Sequence, residues 1–178
     1  MKLLEKYILH NDTLALLPHF NKYGELYTTV IEKYHKFQVK RSPKQILMDN
    51  CEYHGSSLRG RIEAAKKVLP KHRLLPVYVS EHFKLCFFPT RSIDHVECQF
   101  FSHKGIKRIN PHKRGSIIVL ENDDKILVPM HPQFLFNKVK NASHLVYTYG
   151  NFKERIYQID IQDFIAEEKG KYDDDNED

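Results

Sequence analysis

The chain has 178 residues, 41% hydrophobic and 29% charged, with ten Tyr and eleven Phe, which is enough apolar mass for a real core and excludes a peptide scaffold or a wholly disordered chain. Its net charge of +5 hides an asymmetry, because residues 167–178 carry seven acids against two lysines and leave residues 1–166 at +10. That exceeds the roughly 2 to 8 charges that keep a small domain soluble and points to a polyanionic partner, nucleic acid first.

In chain order, β-branched and aromatic runs bounded by turn residues predict strands at Lys6–His10, Thr13–Leu17, Leu26–Glu32 and Lys36–Lys40, with a turn at Asn21–Gly24 and a further strand at Gln45–Met48. The period then changes. Leu58, Ile62, Ala65 and Leu69 share one face of a helix over 56–69, capped by Ser56 or Ser57 and ended by Pro70. Arg59 and Lys66 lie beside the apolar stripe and Lys67 opposite it, so the outward surface is cationic. Strands are expected at Leu75–Val79 and Phe83–Phe88, and a hairpin joins Ile117–Leu120 to Lys125–Val128 through Glu121–Asp124. The spacing of Phe134, Leu135, Val139, Leu145, Val146 and Tyr149 predicts a helix over 133–149. Tyr157–Gln162 alternates as a strand while Phe164–Ala166 fits a helix. The expected architecture is α+β: a strand-rich single domain, meander or barrel-like, over 1–169, with a basic helix near 56–69, C-terminal helices, and an acidic disordered tail at 170–178.

Three windows lack acids: Lys33–Met48 with five basic residues, Ala64–Ser80 with four, and Cys98–Leu120 with five. In the last, Lys104, Lys107, Arg108, Lys113 and Arg114 interleave with Gly105, Pro111 and Gly115, as in a loop that closely approaches a phosphate backbone; an ordinary basic loop is the plain alternative. Ser56 and Ser57 at a helix start offer hydroxyls and amides to a phosphate, with Arg59, Arg61, Lys66 and Lys67 alongside.

Other chemistries are thinly supported. Cys51 with His54, joined by Cys98 with His103, offers a weak zinc set, and Cys51 with His54 alone a Cys-His nucleophile pair, but free Cys is more often a small buried hydrophobe. No P-loop, GxGxxG, HExxH or GxSxG motif occurs. No cofactor, metal or catalytic role is therefore expected. The three cysteines form neither an even framework nor a CxxC pair, which suits a reduced cytoplasm. Glu5, Lys6, His10 and Asp12 interrupt the start before it reaches signal-peptide length, and no stretch approaches the ~20 apolar residues that span a bilayer.

Several strings together resemble a family. Gln45-Ile46-Leu47-Met48-Asp49-Asn50-Cys51, Gly55-Ser56-Ser57-Leu58-Arg59-Gly60-Arg61, Phe87-Phe88-Pro89-Thr90, Cys98 and Ser102-His103 fall in the order and spacing of the ComK family, competence transcription factors of Firmicutes. Leu17-Pro18, Ile31-Glu32-Lys33, and Asp163-Phe164-Ile165 with Glu168, Gly170 and Tyr172 extend the likeness over nearly the whole chain; the Gly-Ser-Ser-x-x-Gly-Arg string is its most specific element. The resemblance implies an activator of DNA-uptake genes that recognises paired A/T-rich boxes of duplex DNA, largely through the minor groove, as a homo-oligomer in the cytoplasm at the nucleoid. It also implies a proteolytic adaptor as partner, although no adaptor-binding segment is matched. Two rivals stand beside this reading, a single-strand or RNA-binding module and a zinc- or cysteine-dependent enzyme.

Overall fold

A computed structural model describes residues 2–152. The chain divides into two compact units, Met1–Val146 and Tyr147–Asp178. In the first, β1 (Lys2–Leu4), β2 (Thr13–Phe20), β3 (Leu26–Glu32) and β4 (Lys36–Val39) precede two helices, α1 (Pro43–Tyr53) and α2 (Leu58–Val68). Then follow β5 (Val77–Ser80), β6 (Leu85–Pro89) and β7 (Phe100–Ser102). These seven strands form one sheet in the order β1-β4-β3-β2-β7-β6-β5, antiparallel except for the β1–β4 pair. β8 (Ile106–His112), β9 (Gly115–Leu120) and β10 (Lys125–Val128) make a separate antiparallel sheet in the order β10-β9-β8. A helix, α3, begins at residue 132 and occupies 132–146 of this unit. In the second unit the described residues, 147–152, are helical. Strand-rich α+β is the observed class, and the sheets are open, with no closed barrel among the described residues. The expected boundary at 169/170, and the elements at 157–166, lie outside them.

The larger sheet is buried on both faces at its centre, which is why β6 and β7 read as unbroken apolar runs rather than alternating ones. Phe87 and Phe100 point into a cluster with Leu16, Val30, Ile46, Leu47, Cys51 and Leu58, so α1 and α2 cover that face. Phe88 and Phe101, paired across β6 and β7, stack on the opposite face with centroids 6.0 Å apart.

Three expectations give way. Gln45–Met48 is not a strand but the middle of α1: Ser42 accepts from the Gln45 amide while the Gln45 side chain accepts from the Ser42 amide, a reciprocal cap with Pro43 in the first turn. Lys6–His10 pairs with no strand, yet Tyr7 and Leu9 are buried between exposed Lys6, Ile8 and His10, as a strand would have them. Its partner is one side chain. Asn50, wholly buried on α1, accepts from the Leu9 amide at 2.8 Å and donates to the Tyr7 carbonyl at 2.9 Å and its own helix's Ile46 carbonyl at 2.8 Å. Finally, the glycine- and cation-rich segment expected as a loop is β8 and the turn into β9.

Candidate functional site

Two basic surfaces were expected, and they stand on different elements: α2 beside the β5 edge of the larger sheet, and the β8–β9 hairpin of the smaller.

The Gly55-Ser56-Ser57 string is the joint between α1 and α2. Gly55, at φ +72, takes the left-handed turn that ends α1; its amide bonds to Glu52 O and that of Ser56 to Cys51 O, each at 2.9 Å, closing the last turn. Ser57 then caps α2, accepting from the Gly60 amide at 3.0 Å. The Ser56 amide and the Ser57 hydroxyl are thus engaged in joining helices. Arg59 is exposed and paired with Glu63 one turn on, at 2.9 Å, a contact of little energetic weight. Arg61 is different: its side chain is 16% exposed, it donates to Glu81 at 3.2 Å, and its buried Nε has no hydrogen-bond partner. Burial beside Arg61 and His82 holds His54 below the ordinary imidazole range, and its Nε2 also lacks a partner. Lys66 and Lys67 project from the last turn, exposed and without an ion pair among the described residues.

The hairpin gathers more charge. Register pairs Arg108 with Val119 and Val119 with Lys125, so Arg108 and Lys125 flank one valine on the same face; Asn110 and Leu127 flank Ile117 one step along. A register shift between Ile106 and Arg108 displaces Lys107 from this alternation, and Lys107 donates to Asp123 at 2.7 Å. Asp123 sits at φ +66 in the β9–β10 turn, and Lys107, with Arg108 and Lys125 nearby, holds its carboxyl below the usual range. Lys36 reaches the neighbouring Asp124 at 2.8 Å. At the opposite end Lys113 and Arg114 form the two-residue turn between paired His112 and Gly115, both exposed. Lys104, Arg108, Lys113 and Arg114 carry no ion pair among the described residues.

The glycines here serve close packing against protein. A Cβ on Gly115, at φ +131, would lie 2.3 Å from Val128 O, and one on Gly105 would lie 3.1 Å from Leu14 Cα. The hairpin tip rests on the end of β10, where Ser116 also donates to Met130 O at 2.6 Å. Lys125 and Asn110 are absent from the residues expected from sequence, and Lys36, counted in the Lys33–Met48 window, was not expected beside the β9–β10 turn, because local windows do not see across strands. The period-two alternation of β9 and β10 was the available signal for Lys125.

The cysteines lie apart from this surface. Cys51 belongs to the core cluster and burial pushes its thiol up to about 11; burial raises Cys86 and Cys98 as well. A nucleophilic thiol needs the opposite shift. Among the described residues no three His, Cys, Asp or Glu side chains converge to hold a metal ion, and no helix is long and apolar enough to cross a membrane.

Comparison with known proteins supplies an independent line. The family model described as ComK protein matches residues 4–154. The competence transcription factor of Bacillus subtilis (strain 168) is 32% identical over 104 residues, covering 58% of this chain and 54% of the relative. The chain thus matches about half the length of that relative. No solved structure matches it.

Proposed function

We propose, from the premise that this chain belongs to the ComK family, that it is a competence transcription factor which grips duplex DNA with the β8–β9 hairpin. The observation that carries this reading is that the acid-free run from Cys98 to Leu120 ends in an antiparallel ribbon, β8 and β9, whose face and tip keep Arg108, Lys113 and Arg114 without an ion pair among the described residues. A ribbon of this kind supplies charge without blocking it with its own carboxylates, and phosphate neutralisation dominates affinity for DNA. The narrow minor groove of A/T-rich sequence has the most negative potential and draws in arginine, which suits Arg114 and Lys113 at the tip. Lys107, Arg108 and Lys104 then follow the flanking phosphates.

The α2 surface is the second contact. Ser56, Ser57, Arg59, Lys66 and Lys67 lie along one backbone, with Arg61 bracing the helix from beneath through Glu81. Two separate basic surfaces on one chain, and paired A/T boxes, call for more than one subunit on a promoter, working at the nucleoid. An adaptor for proteolysis fits the family, with no docking segment assigned.

A salt-titrated mobility shift tests the reading, using duplexes with paired A/T boxes, duplexes with scrambled boxes, and single strands at equal phosphate count. Paired boxes should bind tightest, log affinity should fall by roughly 0.9 per phosphate contacted for each unit of log salt, and a small molecule that fills the A/T minor groove should displace the protein. Single strands that compete as well as the boxed duplex would transfer the assignment to a single-strand-binding module.

A further inference from the structure

A cleft of about 470 Å³ lies between the segment following α2 and the exposed side of α3. Its polar lining is Lys71, His72, Asn137, Lys140, Asn141 and His144, over a floor made by the apolar end of α2. No carboxylate lines it, and the reason is visible in the sequence: there is no Asp or Glu from Ala64 to Ser80, nor from Lys125 to Val146. The fold brings those two acid-free stretches face to face.

Two backbone carbonyls of the segment that follows α2 are engaged in the turn itself. Ala65 O accepts from the Leu69 amide at 2.9 Å and Leu69 O from the His72 amide at 3.1 Å. Lys138, half-buried with its ammonium pKa lowered by burial, donates to the carbonyls of Arg73 and Leu74. That bond fastens α3 to the connection where Leu74 holds a left-handed φ of +53. Lys138 is therefore consumed in building the cleft, while Lys71 and Lys140 remain exposed and without ion pairs among the described residues. Across the opening, Asn141 Nδ2 donates to His72 Nδ1 at 3.0 Å.

We propose that this cleft is a phosphate-binding site, in which the ammoniums of Lys71 and Lys140 neutralise the group and His72 and Asn137 donate hydrogen bonds to its oxygens. Two ammoniums with polar side chains beside them and no competing acid suit a set of phosphate oxygens. The volume admits a phosphate with its attached sugar, so the group belongs to a nucleic-acid backbone or to a free phosphate ester. The site does not rest on the hairpin's role: no residue is shared between them.

The experiment follows the imidazole NMR signals of His72 and His144 in the full chain, titrated separately with inorganic phosphate and with boxed duplex. Lys71→Ala/Lys140→Ala is compared with Lys71→Arg/Lys140→Arg, and both are checked for fold by the rest of the amide spectrum. Inorganic phosphate should move both signals in the parent and in the arginine variant, with at least tenfold weaker binding in the alanine variant. If the alanine variant also loses salt dependence for the duplex, by roughly 0.9 to 1.8 in slope, the ligand is the DNA backbone; if duplex binding is unchanged, it is a free phosphate ester. A chain that fails to bind duplex but shows these phosphate shifts keeps the cleft and refutes the DNA reading. Signals that neither ligand moves would overturn the proposal.

Discussion

Lys107 Nζ donates to Asp123 Oδ1 at 2.7 Å, tying the first strand of the basic hairpin to the turn that closes its neighbour. Asp123 is the carboxylate that engages Lys107, and on the proposed reading it competes with phosphate for that ammonium. Asp123→Asn should raise duplex affinity and steepen the log affinity versus log salt slope by roughly 0.9, one phosphate's worth. Because the carboxyl is held below its ordinary value of 3.8 in the folded chain, the pair's support for folding is present above that pH and is lost as pH falls through the lower, folded-state value. Parent and variant should therefore differ in binding at neutral pH and converge in strong acid; mobility shifts and acid titration check both.

Replacing Arg108, Lys113 and Arg114 together with alanine removes three exposed cations that form no ion pair among the described residues. Folding stability should move by less than about 0.5 kcal/mol per site, while the salt slope loses roughly 0.9 for each residue that meets a phosphate. Urea melts alongside salt-titrated shifts separate the two effects. An unchanged slope would remove the hairpin from the interface.

Gly115→Ala acts on the same hairpin by another route. A side chain there must displace Val128 O, 2.3 Å from where its Cβ would sit, at a φ of +131. The expected cost is more than about 2 kcal/mol, with amide exchange accelerated across β8 to β10 before the larger sheet is touched.

Asn50→Ala strips hydrogen bonds from the Leu9 amide and the Tyr7 carbonyl inside the core, and a loss of about 3 kcal/mol in denaturant melts is expected. Asn50→Asp should be no better, since a carboxylate would face the carbonyls of Tyr7 and Ile46.

Thiol reagents give a complementary reading. With Cys51 pushed up to about 11, and Cys86 and Cys98 also raised by burial, the native chain at pH 8 should resist alkylation over a period that labels the denatured chain fully. Cys51→Ser should leave duplex binding intact. Rapid modification of Cys51 in the folded protein would reopen the cysteine-enzyme alternative.

What the sequence made legible depended on whether the signal was local. Leu26–Glu32 and the helix beginning at Ser57 were readable because period, cap and breaker agreed within a few residues. Gln45–Met48 was misread on three consecutive apolar residues, which fit either period, although Ser42-Pro43-Lys44-Gln45 already spelled a helix start. At Lys6–His10 the alternation was genuine, but the hydrogen-bonding partner lay about forty residues away in an asparagine, where no local rule looks. β8 was hidden by the irregularity at Lys107, which breaks the alternation of Ile106 and Ile109. For the basic surfaces, composition found the cations of the hairpin but not which were already spent: Arg61 on Glu81, Lys107 on Asp123 and Lys36 on Asp124.

The smaller sheet is moored at its root. Asn122 Nδ2 donates to Glu32 O at 3.2 Å, Lys36 holds Asp124, and Gly105 presses against Leu14. A ribbon held in this way at one end presents its strands in a set direction. On the proposed reading, the burden of conforming then passes to the nucleic acid, and promoters whose base steps bend cheaply would hold an advantage that no side chain needs to read.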